Sequence, residues 1–531
     1  MERISDLILA AAARDAAAPA LGHDGAELSY GELAGAVETC ARALLESGLR
    51  RGERVAVYLE KRFETVVSMF AAAQGGGAFV PLNPVLKARQ VSYILRDCNV
   101  RILITSAMRL EGLVAALSEC RDLRTVVVID GNDGALPEIP GVSVVPWAVF
   151  LAAGAASAHK PHRVVESDMT AILYTSGSTG MPKGVILSHR NMLTGALSVS
   201  SYLENTSNDR ILSVLPLSFD AGFSQLTTAF AVGARVALMN YLLAKDVIAA
   251  VARERITGLA GIPPLWIQLS QYAWPEDAVN SLRYLTNTGG AMPKATLDIL
   301  RGNLPRTQAY LMYGLTEAFR STFLPPSEVD RRPDSIGKAV PNAEILVVRE
   351  DGSLCEPGEP GELVHRGPFV AKGYWNDPEK TAERFRPAPG QNPAVTVPEI
   401  AVWSGDTVRM DEEGFLYFVG RRDEMIKTSG YRVSPTEVEE VVYASRLAGE
   451  AVALGLPHPA LGQGIVIVAT APEGKELNVD GIIAVCRREL PAYMVPLQVV
   501  ERDTVPRNAN GKMDRKSLAS ELEGLFKDRD G

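Results

Sequence analysis

Apolar and polar positions along residues 1–400 follow two kinds of pattern, one with helical spacing and one of short β-rich runs. Apolar residues with helical spacing fill Leu33 to Leu45, and a short β-rich run, Arg54 to Leu59, follows them. Further helical patterns and short apolar runs alternate in the same way, at 64–73, 79–81, 89–97, 102–105 and 125–129. Because strands that alternate with helices form parallel sheets with helices on their faces, the pattern predicts an α/β architecture with largely parallel sheets.

Two segments depart from this alternation. The stretch 131–161 is rich in Gly, Pro and Ala, which predicts an irregular excursion before the next strand. Near the N-terminus, Leu7 to Ala13 is apolar but follows Glu2 and Asp6 instead of a positively charged flank. The N-terminal run therefore predicts an amphipathic surface helix and not a signal peptide.

The pattern changes after about Ile336. Short strand patterns at 345–348, 361–364 and 415–418 are separated by Asp-Gly and Glu-Gly turn pairs. Turns of this kind join antiparallel strands, so this part predicts an antiparallel, barrel-like unit. The segment after Gly420 is about as long as a small separate domain.

Composition narrows the class of protein. The 531 residues carry 54 basic and 63 acidic side chains, for a net charge of −9. A chain of this length is expected to form two or more domains. Proteins that bind the phosphate backbone are usually basic, so no nucleic-acid partner is expected. No apolar run reaches the ~18 residues that span a bilayer, so no membrane span is expected.

Cysteines and histidines add little chemistry. The five cysteines are far apart and form no C-x-x-C pair, at Cys40, Cys98, Cys120, Cys355 and Cys486. This spacing predicts no disulfide framework and a reducing, cytoplasmic location. His159 and His162 suggest a metal site, but no Cys or acidic cluster completes one near them, so we expect none there.

One loop has the composition of a phosphate-binding site. The apolar run Thr170 to Tyr174 leads directly into ten residues rich in Gly, Ser and Thr, which include Thr175, Ser176, Gly177, Ser178, Thr179, Gly180 and Lys183. Glycines let backbone N–H groups approach an anion, while the hydroxyls add donors and Lys183 adds charge. Pro182 before Lys183 and Gly184 after it exclude a Walker A loop. The alternative is a flexible surface loop.

Residues Tyr174 to Val185 resemble the phosphate loop of the adenylate-forming superfamily, which comprises acyl-CoA synthetases, peptide-synthetase adenylation domains and luciferases. The resemblance covers essentially the whole chain. It implies a large N-terminal domain, residues 1–420, with two α/β sheet subdomains and a small β-barrel-like unit. A hinge at 421–423, centred on Asp423, would lead to a small, mobile α+β C-terminal domain, residues 424–531.

Further motifs follow in the family's order, and the resemblance gives them roles. Tyr313 would stack on adenine, while Thr316 and Glu317 would bind phosphate and Mg²⁺, an ion that prefers carboxylate and phosphate oxygens. Asp406 and Arg421 would hold the ribose. The other residues that the resemblance places at ATP or AMP are Gly289, Gly290, Ala291, Met312, Gly314 and Phe418.

The C-terminal segment would carry the catalytic lysine and part of a thiol tunnel. Residues 506–512 resemble the family's catalytic-lysine loop, in which Lys512 would bridge the substrate carboxylate and the α-phosphate. An exposed turn lysine is the structural alternative. The resemblance places Lys427, Gly430 and Tyr431 along the tunnel through which a thiol enters after the small domain rotates.

The implied reaction is ATP-dependent activation of a carboxylic acid as acyl-AMP, followed by acyl transfer to a thiol. ATP and Mg²⁺ are the implied cofactors. The acceptor would be CoA or a phosphopantetheine carrier protein in trans, because we expect no carrier domain fused after Lys512. Segments 79–100 and 218–222 look most like AMP-forming acyl-CoA ligases found with exosortase-A systems. The alternative is a free-standing amino-acid adenylating enzyme that loads a separate carrier protein.

The resemblance also indicates an acyl pocket. Its predicted residues are Phe219, Asp220, Ala221, Ser224, Gly261, Thr286, Thr288, Met312, Arg320 and Ser321. Asp220 either pairs with a substrate ammonium or caps the helix that follows. Arg320 either meets a second anionic group, points to solvent or pairs with a structural acid. The sequence leaves these alternatives open.

Overall fold

The computed structural model describes residues 1–131, 136–175, 182–421, 424–428, 431–458, 461–508 and 511–526. Its strands are, in chain order, β1 (Pro19–His23), β2 (Ala26–Ser29), β3 (Arg54–Tyr58), β4 (Ala78–Pro81), β5 (Val100–Thr105), β6 (Thr125–Val128), β7 (Ser143–Pro146), β8 (Met169–Thr175), β9 (Lys183–Ser188), β10 (Arg210–Ser213), β11 (Arg235–Leu238), β12 (Gly258–Gly261), β13 (Tyr284–Asn287), β14 (Gln308–Tyr313), β15 (Thr322–Leu324), β16 (Ser335–Ala339), β17 (Glu344–Val348), β18 (Pro360–Arg366), β19 (Phe385–Pro387), β20 (Ile400–Met410), β21 (Leu416–Arg421), β22 (Ile426–Thr428), β23 (Tyr431–Val433), β24 (Ala451–His458), β25 (Gly462–Ala469) and β26 (Gln498–Glu501).

The helices lie between these strands. They are α1 (Asp6–Arg14), α2 (Tyr30–Glu46), α3 (Phe63–Gly75), α4 (Ala88–Asp97), α5 (Ala107–Glu111), α6 (Val114–Leu117), α7 (Trp147–Ala156), α8 (His189–Tyr202), α9 (Asp220–Val232), α10 (Ala244–Arg253), α11 (Pro263–Leu269), α12 (Glu276–Ser281), α13 (Lys294–Asn303), α14 (Pro378–Arg384), α15 (Pro435–Ser445), α16 (Val479–Glu489) and α17 (Arg515–Glu521). Short 3₁₀ turns occupy Thr316–Ala318, Pro326–Glu328 and Ala492–Met494.

Two large sheets form the N-terminal part. The first has the strand order β7-β6-β5-β3-β4-β8-β9 and is parallel except for the hairpin β8–β9. In the second, β1, β11, β10, β12, β13 and β14 are parallel neighbours. Antiparallel strands β15 to β21 continue it, which confirms the predicted α/β class and the antiparallel unit.

The two sheets meet through helices α3 and α9, which are buried along most of their length. Aromatic side chains join them: the rings of Phe70 and Phe223 stack with centroids 5.6 Å apart, and Phe79 lies 4.8 Å from Phe223. All three belong to one continuous hydrophobic core. This packing fixes the N-terminus of α9, where Asp220 lies, against both sheets.

The C-terminal part has its own sheet, in the order β23-β22-β25-β24 with β26 beside β25. Its separate apolar core includes Val438, Ile467 and Ile482. A separate core agrees with a small additional domain after β21, although the hinge residue Asp423 lies outside the described residues.

The prediction for 131–161 was wrong in part. Strand β7 forms the edge of the first sheet, and helix α7 packs on α2. The Ala content that suggested irregularity is instead favourable for a helix. At the N-terminus α1 is amphipathic as predicted and buries Leu7, Ile8 and Ala11. Across the residues that the structure describes, no helix has both the length and the apolar character needed to cross a membrane.

Candidate active site

The predicted phosphate loop joins the two strands of a hairpin. Thr175 at the end of β8 is paired with Lys183 at the start of β9, while Ser176, Gly177, Ser178, Thr179 and Gly180 lie outside the described residues. The Lys183 ammonium lies 5.5 Å from the centre of the Tyr374 ring. The Tyr374 hydroxyl donates a 2.6 Å hydrogen bond to Glu317 Oε1. Tyr374 thus connects the predicted phosphate lysine with the predicted magnesium ligand.

A second group of predicted nucleotide residues meets at the end of β14. The Tyr313 hydroxyl donates to Asp406 Oδ2, and Arg421 Nε donates to Asp406 Oδ1 at 3.0 Å. Burial and the negative charge of Asp406 raise the pKa of Tyr313, which therefore keeps its proton. Phe418 lies beside this group, with its ring centre 6.2 Å from that of Tyr313. Strand β14 and the paired strands β20 and β21 thus bring these four residues together.

Lys512 reaches the same cleft from the C-terminal domain. Its loop is a tight turn in which the Asn508 N–H donates to the Lys512 carbonyl and the Gly511 N–H donates to the Asn508 carbonyl. The Lys512 ammonium lies 5.5 Å from the centre of the Phe219 ring. Burial lowers the pKa of Lys512, and the charge of Asp220 opposes that shift. Lys512 therefore stands next to the predicted acyl pocket.

The Gly289-Gly290-Ala291 turn provides the space for this lysine. Gly289 has φ +79°, and a Cβ added there would lie 2.9 Å from Lys512 Cε. The side-chain amide of Asn287 donates to the Gly290 carbonyl at 2.9 Å and holds the turn. A side chain at position 289 would be strained and would also push Lys512 away.

A strained turn positions Arg320. Phe319 follows the 3₁₀ turn that contains Thr316 and Glu317, and it has φ +55° and ψ −56°. The Arg320 N–H donates to the Ala318 carbonyl two residues earlier, which defines a γ-turn of the rare, strained type. Phe319 is fully buried and its ring lies where a side chain on Gly195 would be. Core packing of this ring holds the turn and directs Arg320 inward.

Arg320 forms a buried ion pair with Asp220. Arg320 Nη1 donates to Asp220 Oδ2 at 3.2 Å, and both side chains are about 95% buried. Burial raises the pKa of Asp220, whereas Arg320 and then Lys512 lower it. Asp220 is the first residue of α9 and Phe219 is the N-cap, so Asp220 is not the helix cap. Of the alternatives for Arg320, pairing with an acid is what the structure has.

A cavity extends from this ion pair along one face of α9. Residues that line it include Ala221, Ser224, Thr286, Met312 and Arg320, all of them predicted pocket residues. Sequence reasoning missed the other lining residues, which are Val199, Leu203, Ile211, Gln225, Thr228, Gly258, Ala260 and Tyr284. On α9 the lining positions 221, 224, 225 and 228 follow helical spacing, a pattern that would have identified Gln225 and Thr228.

Other predicted pocket residues face elsewhere. Gly261 accommodates the Trp266 indole, since a Cβ there would lie 2.6 Å from that ring. The Thr288 N–H donates to the Gly261 carbonyl. Ser321 is fully buried against His365, with 2.9 Å between its Oγ and His365 Nδ1, and burial lowers the pKa of His365 to about 3. These three residues therefore support the pocket wall and do not line the cavity.

The predicted tunnel residues are only partly described. Lys427 is exposed on β22, and its backbone N–H donates to Gln463 Oε1 at 2.6 Å. Gly430 lies outside the described residues, as does the side chain of Tyr431.

The two histidines that suggested a metal site contact other protein groups: His162 Nε2 lies 3.0 Å from the Leu49 carbonyl, and His159 lies beside Glu46.

One contact joins the two domains beside the cleft. The backbone N–H of Lys294, the first residue of α13, donates to Glu440 Oε1 of α15 at 2.9 Å. The α13 N-cap, Pro293, makes no side-chain capping bond, so the other domain supplies the carboxylate that the helix start favours. Burial raises the pKa of Glu440. This contact exists in the arrangement that brings Lys512 to Gly289.

The fold and the site define a class: a two-domain protein in which a loop lysine of the C-terminal domain lies in a cleft with the carboxylates of Asp220 and Asp406. The sequence model of the family described as AMP-binding enzyme matches residues 8–375, and that of its C-terminal domain matches residues 437–512. The chain belongs to the AMP-binding enzyme family. It is an AMP-forming acid–thiol ligase.

Individual relatives differ in their acids and acceptors. The chain is 34% identical to L-proline–[L-prolyl-carrier protein] ligase of Streptomyces coelicolor, over 95% of this chain and 94% of the relative. It is 29% identical to indoleacetate–CoA ligase of Aromatoleum aromaticum, over 93% and 92% of the two chains. The solved anthranilate CoA ligase AuaEII, in complex with anthranoyl-AMP, shares the fold with a TM-score of 0.87 and 23% identity, over 98% of each chain.

Proposed function

We propose that the chain activates a carboxylic acid as its acyl-AMP and transfers the acyl group to CoA. The observation that carries the proposal is the position of Lys512. It comes from the C-terminal domain and lies against Gly289, near enough to Asp220 and Asp406 for both charges to act on it. A cation at this junction suits a reaction that joins a carboxylate to a phosphate.

In the first half-reaction a carboxylate oxygen attacks the α-phosphorus of ATP, and the bond to the β-phosphate breaks as pyrophosphate leaves. Lys512 would stabilise the negative charge that builds up between the two reactants. Thr175, Lys183 and the loop between them would hold the departing pyrophosphate. Asp406 and Arg421 would fix the nucleoside, so that catalysis rests mainly on positioning and electrostatics.

Glu317 is suited to hold Mg²⁺. Its Oε1 accepts a bond from Tyr374, which orients the carboxylate. Within the described ranges no three His, Cys, Asp or Glu side chains are grouped to bind a metal, so Mg²⁺ would also need oxygens from the phosphates, as this ion commonly does. When bound, the ion would neutralise charge on the phosphates.

The second half-reaction needs Lys512 to leave and a thiol to enter. The thiol sulfur attacks the acyl carbon, its proton goes to solvent, and AMP leaves with the former carboxylate oxygen. We propose that rotation at 421–423, about Asp423, exchanges the two arrangements and brings Lys427, Gly430 and Tyr431 to the thiol. Hinge rotation of this kind is an established device.

A second candidate acceptor is a phosphopantetheine carrier protein. Two observations favour it: the 34% identical relative is a prolyl-carrier-protein ligase, and Asp220 is a buried carboxylate beside the pocket. Arg320 already occupies Asp220 Oδ2 and neutralises the carboxylate, which argues against a substrate ammonium, whereas Asp220 Oδ1 has no partner among the described residues. CoA therefore remains the proposed acceptor.

Pyrophosphate release with a panel of aryl, amino and short aliphatic acids tests the first half-reaction. Thioester formation, followed by mass spectrometry with either CoA or a phosphopantetheinylated carrier protein, tests the second. The proposal expects CoA thioester from the acid that releases pyrophosphate fastest. Thioester on the carrier protein alone would favour the second candidate.

The Glu440 contact predicts an effect specific to one half-reaction. Glu440→Ala removes the carboxylate that caps α13, a group worth about 0.5–2 kcal/mol at a helix start, only in the arrangement that delivers Lys512. Adenylation should therefore slow roughly 2- to 30-fold, while thioester formation from supplied acyl-AMP should not slow. Glu437→Ala, on an exposed position of the same helix, is the matched control. Equal slowing of both half-reactions would contradict the proposal that the Glu440 hydrogen bond stabilises only the arrangement used for adenylation.

A further inference from the structure

The cavity wall contains a buried amide oxygen without a protein partner. Gln225 is 6% exposed, and its Nε2 donates to the Leu212 carbonyl at 2.9 Å. Since that carbonyl can only accept, the amide nitrogen must face it, and Oε1 must face the other way. Among the described residues, no group donates to Gln225 Oε1. A buried acceptor of this kind is stable only when something donates to it.

A buried donor lies in the same wall. Arg320 is 4% exposed, and its Nη1 bonds Asp220 and the Phe319 carbonyl. Its Nε has no acceptor within the part of the chain that the structure describes. Both side chains line the cavity. The lining residues therefore offer one unused buried acceptor and one unused buried donor, and Asp220 Oδ1, at the ion pair where the cavity begins, is a further buried acceptor without a partner among the described residues.

Helix α9 sets the depth of Gln225 in the cavity. Asp220, at the start of the helix, is near enough to Lys512 for the two charges to act on each other. Gln225 lies five residues further along, about 7.5 Å at the rise of an α-helix. If Lys512 meets the substrate carboxylate, Gln225 meets the opposite end of a short acyl chain.

The charged side chains at the cavity wall have no net charge. Asp220 neutralises Arg320, and Arg320 is the one charged side chain among the described lining residues. Burial raises the pKa of Tyr284, which stays protonated. A further net charge on the ligand would have no counter-ion here.

We propose that the acid is a short one whose acyl group ends in a neutral hydrogen-bonding group, a hydroxyl or a carboxamide, which donates to Gln225 Oε1. The inference rests on the proposed function, because it takes the cavity as the acyl pocket. A hydrocarbon acyl chain would leave the buried Gln225 Oε1 unpaired, and enzymes discriminate strongly on that ground.

The test uses matched six-carbon acids: hexanoate, 6-hydroxyhexanoate, adipate monoamide, adipate and 6-aminohexanoate, with four- and eight-carbon hydroxy acids to vary the length. The readout is kcat/KM for pyrophosphate release by the full-length enzyme. At least one neutral polar acid should exceed the hydrocarbon acid of equal length by at least about 100-fold. In Gln225→Met, which keeps the length of the side chain but has no acceptor, this ratio should fall at least about tenfold.

Gln74→Met is the matched control, because Gln74 is also 6% exposed with an unpartnered Oε1 among the described residues but lies on α3, outside this cavity. In Gln74→Met the ratio of kcat/KM for the polar acid to kcat/KM for the hydrocarbon acid should equal that of the wild type.

A wild-type preference for hexanoate would overturn the inference while leaving the proposed function intact. The same holds for a preference for adipate or 6-aminohexanoate, and for a ratio of kcat/KM values that is unchanged in Gln225→Met. Binding of ATP without pyrophosphate release from any acid of the wider panel would instead overturn the proposed function.

Discussion

Replacing Lys512 with methionine is expected to slow acyl-AMP formation by at least about 100- to 1000-fold, the loss typical when a preorganised charge-stabilising group is removed. The aliphatic part of the side chain still packs against Gly289, so the loop should fold normally. What disappears is the ammonium at the junction of carboxylate and α-phosphate. Acid-dependent ATP–pyrophosphate exchange measures this loss directly.

Two further measurements separate catalysis from folding. ATP binding by calorimetry should be largely retained in Lys512→Met, and thioester formation from chemically supplied acyl-AMP should survive. Lys475→Met, which changes an exposed turn lysine of the same domain, should behave as the wild type. Exchange at the wild-type rate in Lys512→Met would remove this residue from the adenylation step.

Asp220→Ala is expected to cost about 3–5 kcal/mol of stability, because it leaves the Arg320 charge buried without a partner. The double variant Asp220→Ala/Arg320→Met removes both charges, and it should regain most of that loss. Urea unfolding of the N-terminal domain, followed by tryptophan fluorescence, measures the change. Since the two substitutions concern one contact, their effects should be strongly non-additive.

A comparison of substrates on the wild type tests whether Asp220 binds a substrate ammonium. If Asp220 binds a substrate ammonium, an amino acid should be a better wild-type substrate than its des-amino analogue. If the Arg320 pair is structural, the des-amino acid should be at least as good a substrate. A single variant as stable as the wild type would show that the ion pair contributes little.

Local pattern was sufficient for much of the fold. The β3–α3–β4 segment follows apolar periodicity, and the structure has each element within a few residues of its predicted bounds. The error at 131–161 arose because Ala and Gly were counted together, although Ala favours helices and Gly does not. There α7 is stabilised by packing against α2, a contact that local composition does not reveal.

The candidate site also contains some residues that local sequence motifs reveal and others that only the tertiary structure brings together. Motif residues such as Asp406, Lys183 and Lys512 could be selected from the sequence because each lies in a short, distinctive run, and their roles stay predictions. The Asp220–Arg320 pair joins residues 100 positions apart, and it depends on a γ-turn that core packing of Phe319 enforces. No local pattern predicts such a turn.

Tyr374 and Glu440 illustrate the same limit. Tyr374 lies outside the recognisable nucleotide-binding motifs, yet it joins Glu317 to Lys183. Glu440 acts across the domain boundary, and its role depends on how two separately folded units meet. Long-range contacts of this kind come from the tertiary structure.

The position of isotopic oxygen tests the central claim most directly. The enzyme is supplied with an acid labelled with ¹⁸O in both carboxylate oxygens, together with ATP, Mg²⁺ and CoA, and the nucleotide product is analysed by mass spectrometry. If the carboxylate attacks the α-phosphorus, AMP should carry one ¹⁸O for each thioester formed, with pyrophosphate unlabelled. Unlabelled AMP, or ADP with labelled phosphate, would contradict an acyl-adenylate intermediate.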